Sequence, residues 1–309
     1  MLKYLCALGV LVLKLNFYAQ SFPPPAGHAG STAISKDSII FTSWAQRCTV
    51  NRGYQDISQP ALGKASAGQA NDATGKDLQP LAVSLGDGGS AICEFESPLY
   101  NGPGFDFAVF ENGFNDVFLE FAFVEVSSNG IDFFRFPNTS NTSTLIQTGP
   151  FDTTNTRLIN GLAGKYRAGY GTPFDLSDIQ DAVGLDKNNI CFIKILDVIG
   201  AVSGSHKSLD SQGNVINDPW PTPFSSSGFD LDAIGVIHAK PVGLNKMYSN
   251  TCSLIIQNPI SKQHLSHALN LHPDLKLYNI IHQPIQYLTE GLIFIKHGND
   301  CIHRILVMP

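Results

Sequence analysis

From residue 39 onward, short apolar runs alternate with turn residues, and no long segment repeats every 3.6 residues. The runs IIFTSWA, LAVSL, AICEF, DFAVFE, VFLEFAFVEVS, IDFFRF, ICFIKILDVIG and FDLDAIGVIH are rich in aromatic and β-branched residues. Such residues suit a pleated, half-buried surface, so each run is predicted as a strand. Asp87-Gly88-Gly89, Asn101-Gly102-Pro103-Gly104, Asn112-Gly113 and Asn129-Gly130 separate them. Gly and Asn tolerate the positive φ that tight reversals need, and EVSSNGIDFFRF therefore predicts a hairpin around Asn129-Gly130. In VFLEFAFVEVS, Phe118, Glu120, Ala122, Val124 and Val126 share one face and Leu119, Phe121, Phe123 and Glu125 the other. Both faces are largely apolar, which predicts a strand covered on both sides. Only LSDIQDAVGL, at 176–185, reads as a short helical turn, with Ser177 or Asp178 as its cap. The fold class expected is all-β: an antiparallel jelly-roll β-sandwich over residues 39–239. Lys240-Pro241-Val242-Gly243 breaks the pattern, so 240–249 reads as a linker and 250–309 as a small β-sandwich-like module of different composition.

The start of the chain has another character. Residues 1–20 place Lys3 before an apolar stretch, Leu5 to Leu13, and end on Ala19-Gln20, the layout of a secretory signal peptide. Lys14 interrupts the apolar stretch well short of the ~20 residues that span a bilayer, which argues against an anchor. Residues 21–38, Pro/Gly-rich, read as an arm laid over the domain or as a disordered start. Export admits disulfides. Cys48 with Cys93, or Cys252 with Cys301, are the candidate pairs, although Cys93 and Cys191 sit in apolar strand-like runs and read better as small buried residues. No CxxC pair supports a structural zinc site. Charged residues are 15% of the chain and the net charge is −6, so the basic footprint of a nucleic-acid binder is missing. With 28 Gly, 18 Pro and 20 Phe, the composition fits short strands joined by tight turns.

Candidate chemistry is sparse. Asp230 and Asp232 stand two residues apart in FDLDAIG, so a regular strand aims both at one face. With Glu111 they are the candidate ligands of a structural calcium ion, which needs six to eight oxygens. The plainer alternative is solvated carboxylates at a strand entrance. Asp106 and Glu111 differ by an odd number and face opposite ways unless a bulge or the turn at Asn112 intervenes. DSQGNVIND, 210–218, lacks the closing Glu of an EF-hand and reads as a turn. The aromatic loops KYRAGYGTPF and NDPWPTPF offer Tyr166, Arg167, Tyr170, Phe174 and Trp220, with Phe224, as ligand-binding candidates. Flat rings with one polar edge stack on a sugar or a corrin-like ring, and the prolines lower the ordering cost. The alternative is that these rings pack their loops onto the sandwich. No GxSxG elbow, HExxH pair or phosphate loop occurs, so no catalytic residue is assigned and a non-enzymatic protein is expected.

Two resemblances narrow this reading. The tail, through LIIQNPIS, KLYNIIHQPI, LTEGLIFIKHG and the basic-apolar end IHRILVMP, resembles the type A C-terminal sorting domain of the type IX secretion system. That resemblance implies that residues 250–309 engage the type IX secretion machinery. It also implies passage across the outer membrane, with attachment to the cell surface or release. The segments CTVNRGYQDISQPALGKASAG, VSLGDGGSAICEF, NGPGFDFAVFENGF, FVEVSSNGIDFFRFP, LAGKYRAGYGTPFDL and NDPWPTPFSSSGFDLDAIGVIH resemble a family of bacterial cell surface proteins. Its layout is similar to galactose-binding-like jelly rolls, which mostly bind ligands, and some relatives look like surface proteins that accompany corrinoid uptake. The expectation is an exported, non-catalytic ligand-binding module for a glycan or corrinoid-like ligand. A structural or adhesive protein contacting other proteins or an outer-membrane receptor is the second reading, and a glycoside hydrolase the third.

Overall fold

The computed structural model describes residues 21–76 and 82–240, and in the tail 260–261, 276–278, 291–297 and 301–308. The signal peptide, the linker and the pairing of Cys252 with Cys301 lie outside the described residues. The chain divides into two compact units, 1–240 and 241–309.

The first unit is an antiparallel β-sandwich. One sheet runs β1 (Ile34–Ser35), β11 (Tyr170–Phe174), β6 (Phe107–Glu111), β13 (Asp230–Val236) and β2 (Ser43–Trp44), with β4 (Val83–Ser84) also paired to β13. The other runs β3 (Arg47–Asn51), β5 (Ser90–Leu99), β12 (Ile190–Asp197), β7 (Ala122–Ser127) and β8 (Phe134–Arg135). A separate pair joins β9 (Thr139–Ser140) to β10 (Ile159–Asn160). Along the chain, β5, β6, β7, β11, β12 and β13 alternate between the two main sheets, the crossing connections of a jelly roll.

Period-two alternation decides what fills the sandwich. Phe107, Val109, Leu231, Ile234 and Val236 from one sheet meet Ala91, Val124, Val126, Ile193 and Ile195 from the other in one buried cluster. The Val, Leu, Ile and Phe side chains among them stabilise the fold by about 1.5–3 kcal/mol each when fully buried. Strand β7 is covered on both faces, as its sequence predicts. Ala122, Val124 and Val126 enter the main core, while Phe123 joins Leu119, Phe121, Ile159, Leu162 and Ile216 in a second cluster. A third cluster, Ala108, Phe110 and Ala233, lies on the outer face of β6 and β13 beneath Ile34, Phe41 and Trp44.

Local expectations fare unevenly. The hairpin at Asn129-Gly130 forms, with Glu125 opposite Arg135 and Gly130 at φ 76°. Residues 21–35 run as an arm: Phe22 and Ala26 are buried and β1 pairs with β11. IIFTSWA yields only Ser43–Trp44, with Ile39 and Ile40 exposed. The turn after β11 is a 3-10 turn at Leu176–Asp178, and its cap is Asp175, whose carboxylate accepts from Ser177 N at 2.8 Å, in place of Ser177 or Asp178. Cys93 is not a lone buried thiol. It stands directly opposite Cys48 across the β3–β5 ladder and is bonded to it. In the tail, β14 (Ile260–Ser261), β15 (Lys276–Tyr278), β16 (Gly291–His297) and β17 (Cys301–Met308) form one sheet in the order β14-β17-β16-β15, and β14 runs parallel to β17.

Candidate functional site

The aromatic candidates separate by local structure. KYRAGYGTPF reads as a loop because of Gly171 and Pro173, yet its second half is β11, paired to β6 through Thr172–Val109 and Phe174–Phe107. The Phe110 ring packs where a side chain on Gly171 would sit. Phe174 thereby enters the core at 3% exposure, stacked on Phe107 with ring centroids 5.3 Å apart and tilted onto Phe136 at 4.9 Å. Tyr166 is 1% exposed and its hydroxyl bonds Thr32 Oγ1 of the arm at 2.8 Å. Neither ring offers a free face to a ligand, which corrects the sequence reading at both positions. Arg167 pairs with Asp116 at 2.5 Å, donates to Ala26 O at 3.0 Å and lies over the half-buried Tyr170 ring at 4.7 Å. Arg167 and Tyr170 therefore fasten the arm to the loop after β6. Trp220 is half-buried, joined to Pro221 by a cis peptide bond, and its indole N–H donates to Asp87 Oδ2 at 3.0 Å.

A different set of side chains faces solvent. Loops 112–121, 143–155 and 216–226 are cross-bonded into one patch. Thr154 N donates to Val117 O (2.7 Å), Trp220 N to Thr148 O (2.9 Å), and Asn217 Nδ2 to Ile146 O (2.7 Å). These loops carry exposed Phe114, Leu145, Ile146 and Phe151, the last at 75% exposure and 5.8 Å from the Phe224 ring. Beside them lies an open groove of about 520 Å³, lined by Thr139, Ser140, Thr142, Thr144, Gln212 and Asn214 among others, with no charged side chain in its wall. The DSQGN turn builds one edge of the groove. Burial pushes the Asp210 carboxyl up, but donation from Ser140 N, Asn214 and Gln212 N outweighs this and holds its pKa below the ordinary carboxylate range. These donors occupy both Asp210 oxygens, so the turn is a closed structural unit.

The acidic candidates also rearrange. A bulge between Leu231 and Ala233 makes Asp232 the extra residue of β13, so the regular alternation that would align it with Asp230 does not hold. Burial pushes Asp232 up to about 6 and the charge of Lys36 draws it back, while the charge of Asp232 itself helps to raise Glu111. Glu111 and Asp230 do come together. Burial, then the charge of Asp230, drives Glu111 well above the ordinary carboxylate range, while Asp230 rises by burial to about 6. Glu111 Oε2 accepts from Gly113 N at 2.8 Å. Asp87, Glu120, Asp197 and Asp218, from four other segments, join this group through mutual repulsion. Asp197 stands at about 8, raised by burial first, although it accepts from Phe229 N (2.7 Å) and Gly88 N (3.0 Å). Among the described residues, none of these carboxylates forms an ion pair. Sequence spacing gave no signal for Glu120 or Asp218, because they approach only through folding. Asp106 belongs elsewhere: it accepts from Gly102 N and Leu176 N, each at 2.7 Å, and bonds His238 Nδ1 at 2.8 Å, stapling the loop before β6.

The described side of the sandwich thus combines a neutral, hydroxyl- and amide-lined groove, exposed apolar loop tips and an acidic interior. No protein-family model and no curated protein matches the chain.

Proposed function

We propose that this is an exported, cell-surface protein that binds a glycan without catalysis, through the groove beside loops 143–155 and 210–215. The observation that carries this reading is the groove wall. Thr139, Thr142, Thr144, Gln212 and Asn214 supply hydroxyl and amide groups without charge. A hydroxyl-rich neutral ligand exchanges its water hydrogen bonds for such partners, and exposed Phe151 offers a face for a sugar ring. The Cys48–Cys93 bond suits an oxidising compartment, and the tail's resemblance to type IX sorting domains supports delivery across the outer membrane.

The test is calorimetric titration of the mature protein against a panel of surface polysaccharides and cobalamin. Micromolar to millimolar binding of a glycan, weakened at least tenfold in Gln212→Ala with Phe151→Ala, is expected. Absence of glycan binding across the panel overturns the reading, and saturable cobalamin binding replaces it with a corrinoid carrier. Deleting 250–309 is expected to retain the protein inside the outer membrane. The exposed Phe114, Leu145, Ile146 and Phe151 favour a second reading, adhesion to another protein, for which binding to cells or to an outer-membrane transporter without glycan binding is the signature.

A further inference from the structure

Two cross-strand rows carry charge on the outward face of the second sheet, and they balance differently. Ala91, Cys93, Val124, Val126, Ile193 and Ile195 enter the core, so the residues between them on each strand point outward. Register then sets Thr49, Ile92, Lys194, Glu125 and Arg135 side by side on β3, β5, β12, β7 and β8. Glu125 is 7% exposed and both of its oxygens are held. Oε1 accepts from Arg135 Nε (2.9 Å) and Nη2 (2.7 Å), and Oε2 accepts from Lys194 Nζ (3.0 Å). Burial pushes this carboxyl up, but donation from the two cations outweighs it and holds its pKa below the ordinary carboxylate range. One anion thus serves two cations, and the row keeps a surplus positive charge. The neighbouring row is balanced, because Arg47 stands opposite Glu94 and pairs with it.

We infer that Lys194 and Arg135, bridged by Glu125, bind one oxyanion: the carboxylate or sulfate of an acidic sugar. Both cations reach solvent, with side chains 25% and 39% exposed, and both keep donors to spare. Among the described residues Arg135 bonds through Nε and Nη2 and not through Nη1, while Lys194 spends one of its three N–H groups. Their positions are set before any ligand arrives. The Arg135 guanidinium lies 4.1 Å from the centre of the buried Phe123 ring, and Lys194 Nζ lies 5.5 Å from that of Phe133. The hairpin that carries Arg135 is pressed onto the sheet at its turn, where a Cβ on Gly130 would lie 3.1 Å from the Phe192 ring. Fixed donors lower the ordering cost of binding, and bonds from a cation to an oxyanion are the strong kind. Half-buried Phe133 and Phe192, the latter two residues before Lys194 on the same face, add ring surface against which a sugar can lie. A polyanion fits poorly, because the surplus is a single charge, Glu125 stands at its centre and the whole chain carries −6. The site shares no residue with the groove and stands whether or not the groove binds a glycan.

The test uses the mature full chain, labelled with nitrogen-15, and follows the Arg135 Nε–Hε signal, identified by its loss in Arg135→Gln. Trigalacturonate, its methyl ester and a sulfated galactose trisaccharide are titrated in turn. A saturable shift with at least one of the two acids is expected, at a dissociation constant of about 0.1–1 mM that weakens as salt is added, and none with the ester. The tighter acid names the source of the oxyanion. Lys194→Gln is expected to weaken binding about tenfold, and Lys194→Arg, which keeps the charge, to restore most of it. Arg47→Gln, on the same face but with its charge paired to Glu94, should leave the affinity unchanged. So should Gln212→Ala with Phe151→Ala, which separates this site from the groove. No saturable shift with either acid up to about 20 mM overturns the inference, because the triad is then an ordinary cross-strand ion pair. An ester that binds as well as the acid, or wild-type affinity in folded Lys194→Gln, overturns it equally. Inorganic sulfate that matches the sugars in affinity leaves no role for the rings and overturns the assignment to a sugar.

Discussion

Lys165 provides a stability test with a definite sign. It is 3% exposed, its Nζ donates to Thr156 O at 2.7 Å and to Ile159 O, and the rings of Phe22 and Tyr166 lie 5.8 and 5.9 Å away. Among the described residues it has no carboxylate partner within 4.0 Å. Burial, then the neighbouring charge of Arg157, lowers its pKa to about 7 from an ordinary 10.5. Between those values the unfolded chain holds the proton and the folded one does not, so this group makes stability rise with pH from about 7 toward 10.5. The slope limit is about 1.4 kcal/mol per pH unit, which sums to an upper limit of about 5 kcal/mol over the whole window. The raised carboxylates, Asp197 at about 8 among them, act in the opposite sense: their contribution to stability falls as pH rises toward 8. The informative quantity is therefore the difference between wild type and Lys165→Met. That variant keeps the stem's volume and loses two donors, at a pH-independent cost of about 1–3 kcal/mol for each buried carbonyl left unpaired. Urea unfolding followed by tryptophan fluorescence from pH 6.5 to 9.5 is expected to show wild type gaining about 3 kcal/mol on the variant across that range. A difference constant to within about 0.5 kcal/mol refutes the assignment of a neutral buried lysine.

Two further outcomes test the frame. The Cys48–Cys93 bond closes a span of 45 residues, so replacing both by Ala should cost about 4 kcal/mol in urea unfolding, and a midpoint insensitive to reductant would contradict the bond. Phe174→Ala should cost about 3–5 kcal/mol because its ring is packed between Phe107 and Phe136, whereas Phe151→Ala should stay within about 0.5 kcal/mol. Equal costs for the two would contradict their assigned places.

The sequence by itself determined the all-β class, the two-faced character of β7 and the reversal at Asn129-Gly130. Each rests on local information: side-chain alternation every two residues, or a backbone that only Gly or Asn readily adopts. Tertiary structure alone decided the fate of Tyr166 and Phe174, because Pro173 and Gly171 look like loop residues until β6 and β1 flank them as a strand. It also decided that Cys93 faces Cys48, a matter of register between β3 and β5. The acidic group shows the same division most sharply. Alternation paired Asp230 with Asp232, but a bulge interrupts the strand between Leu231 and Ala233, and Asp230 raises the pKa of both Glu111 and Glu120. Spacing along a strand reports only which face a side chain takes. Which carboxylates lie near enough to raise one another's pKa depends on loops distant in sequence that the fold brings together.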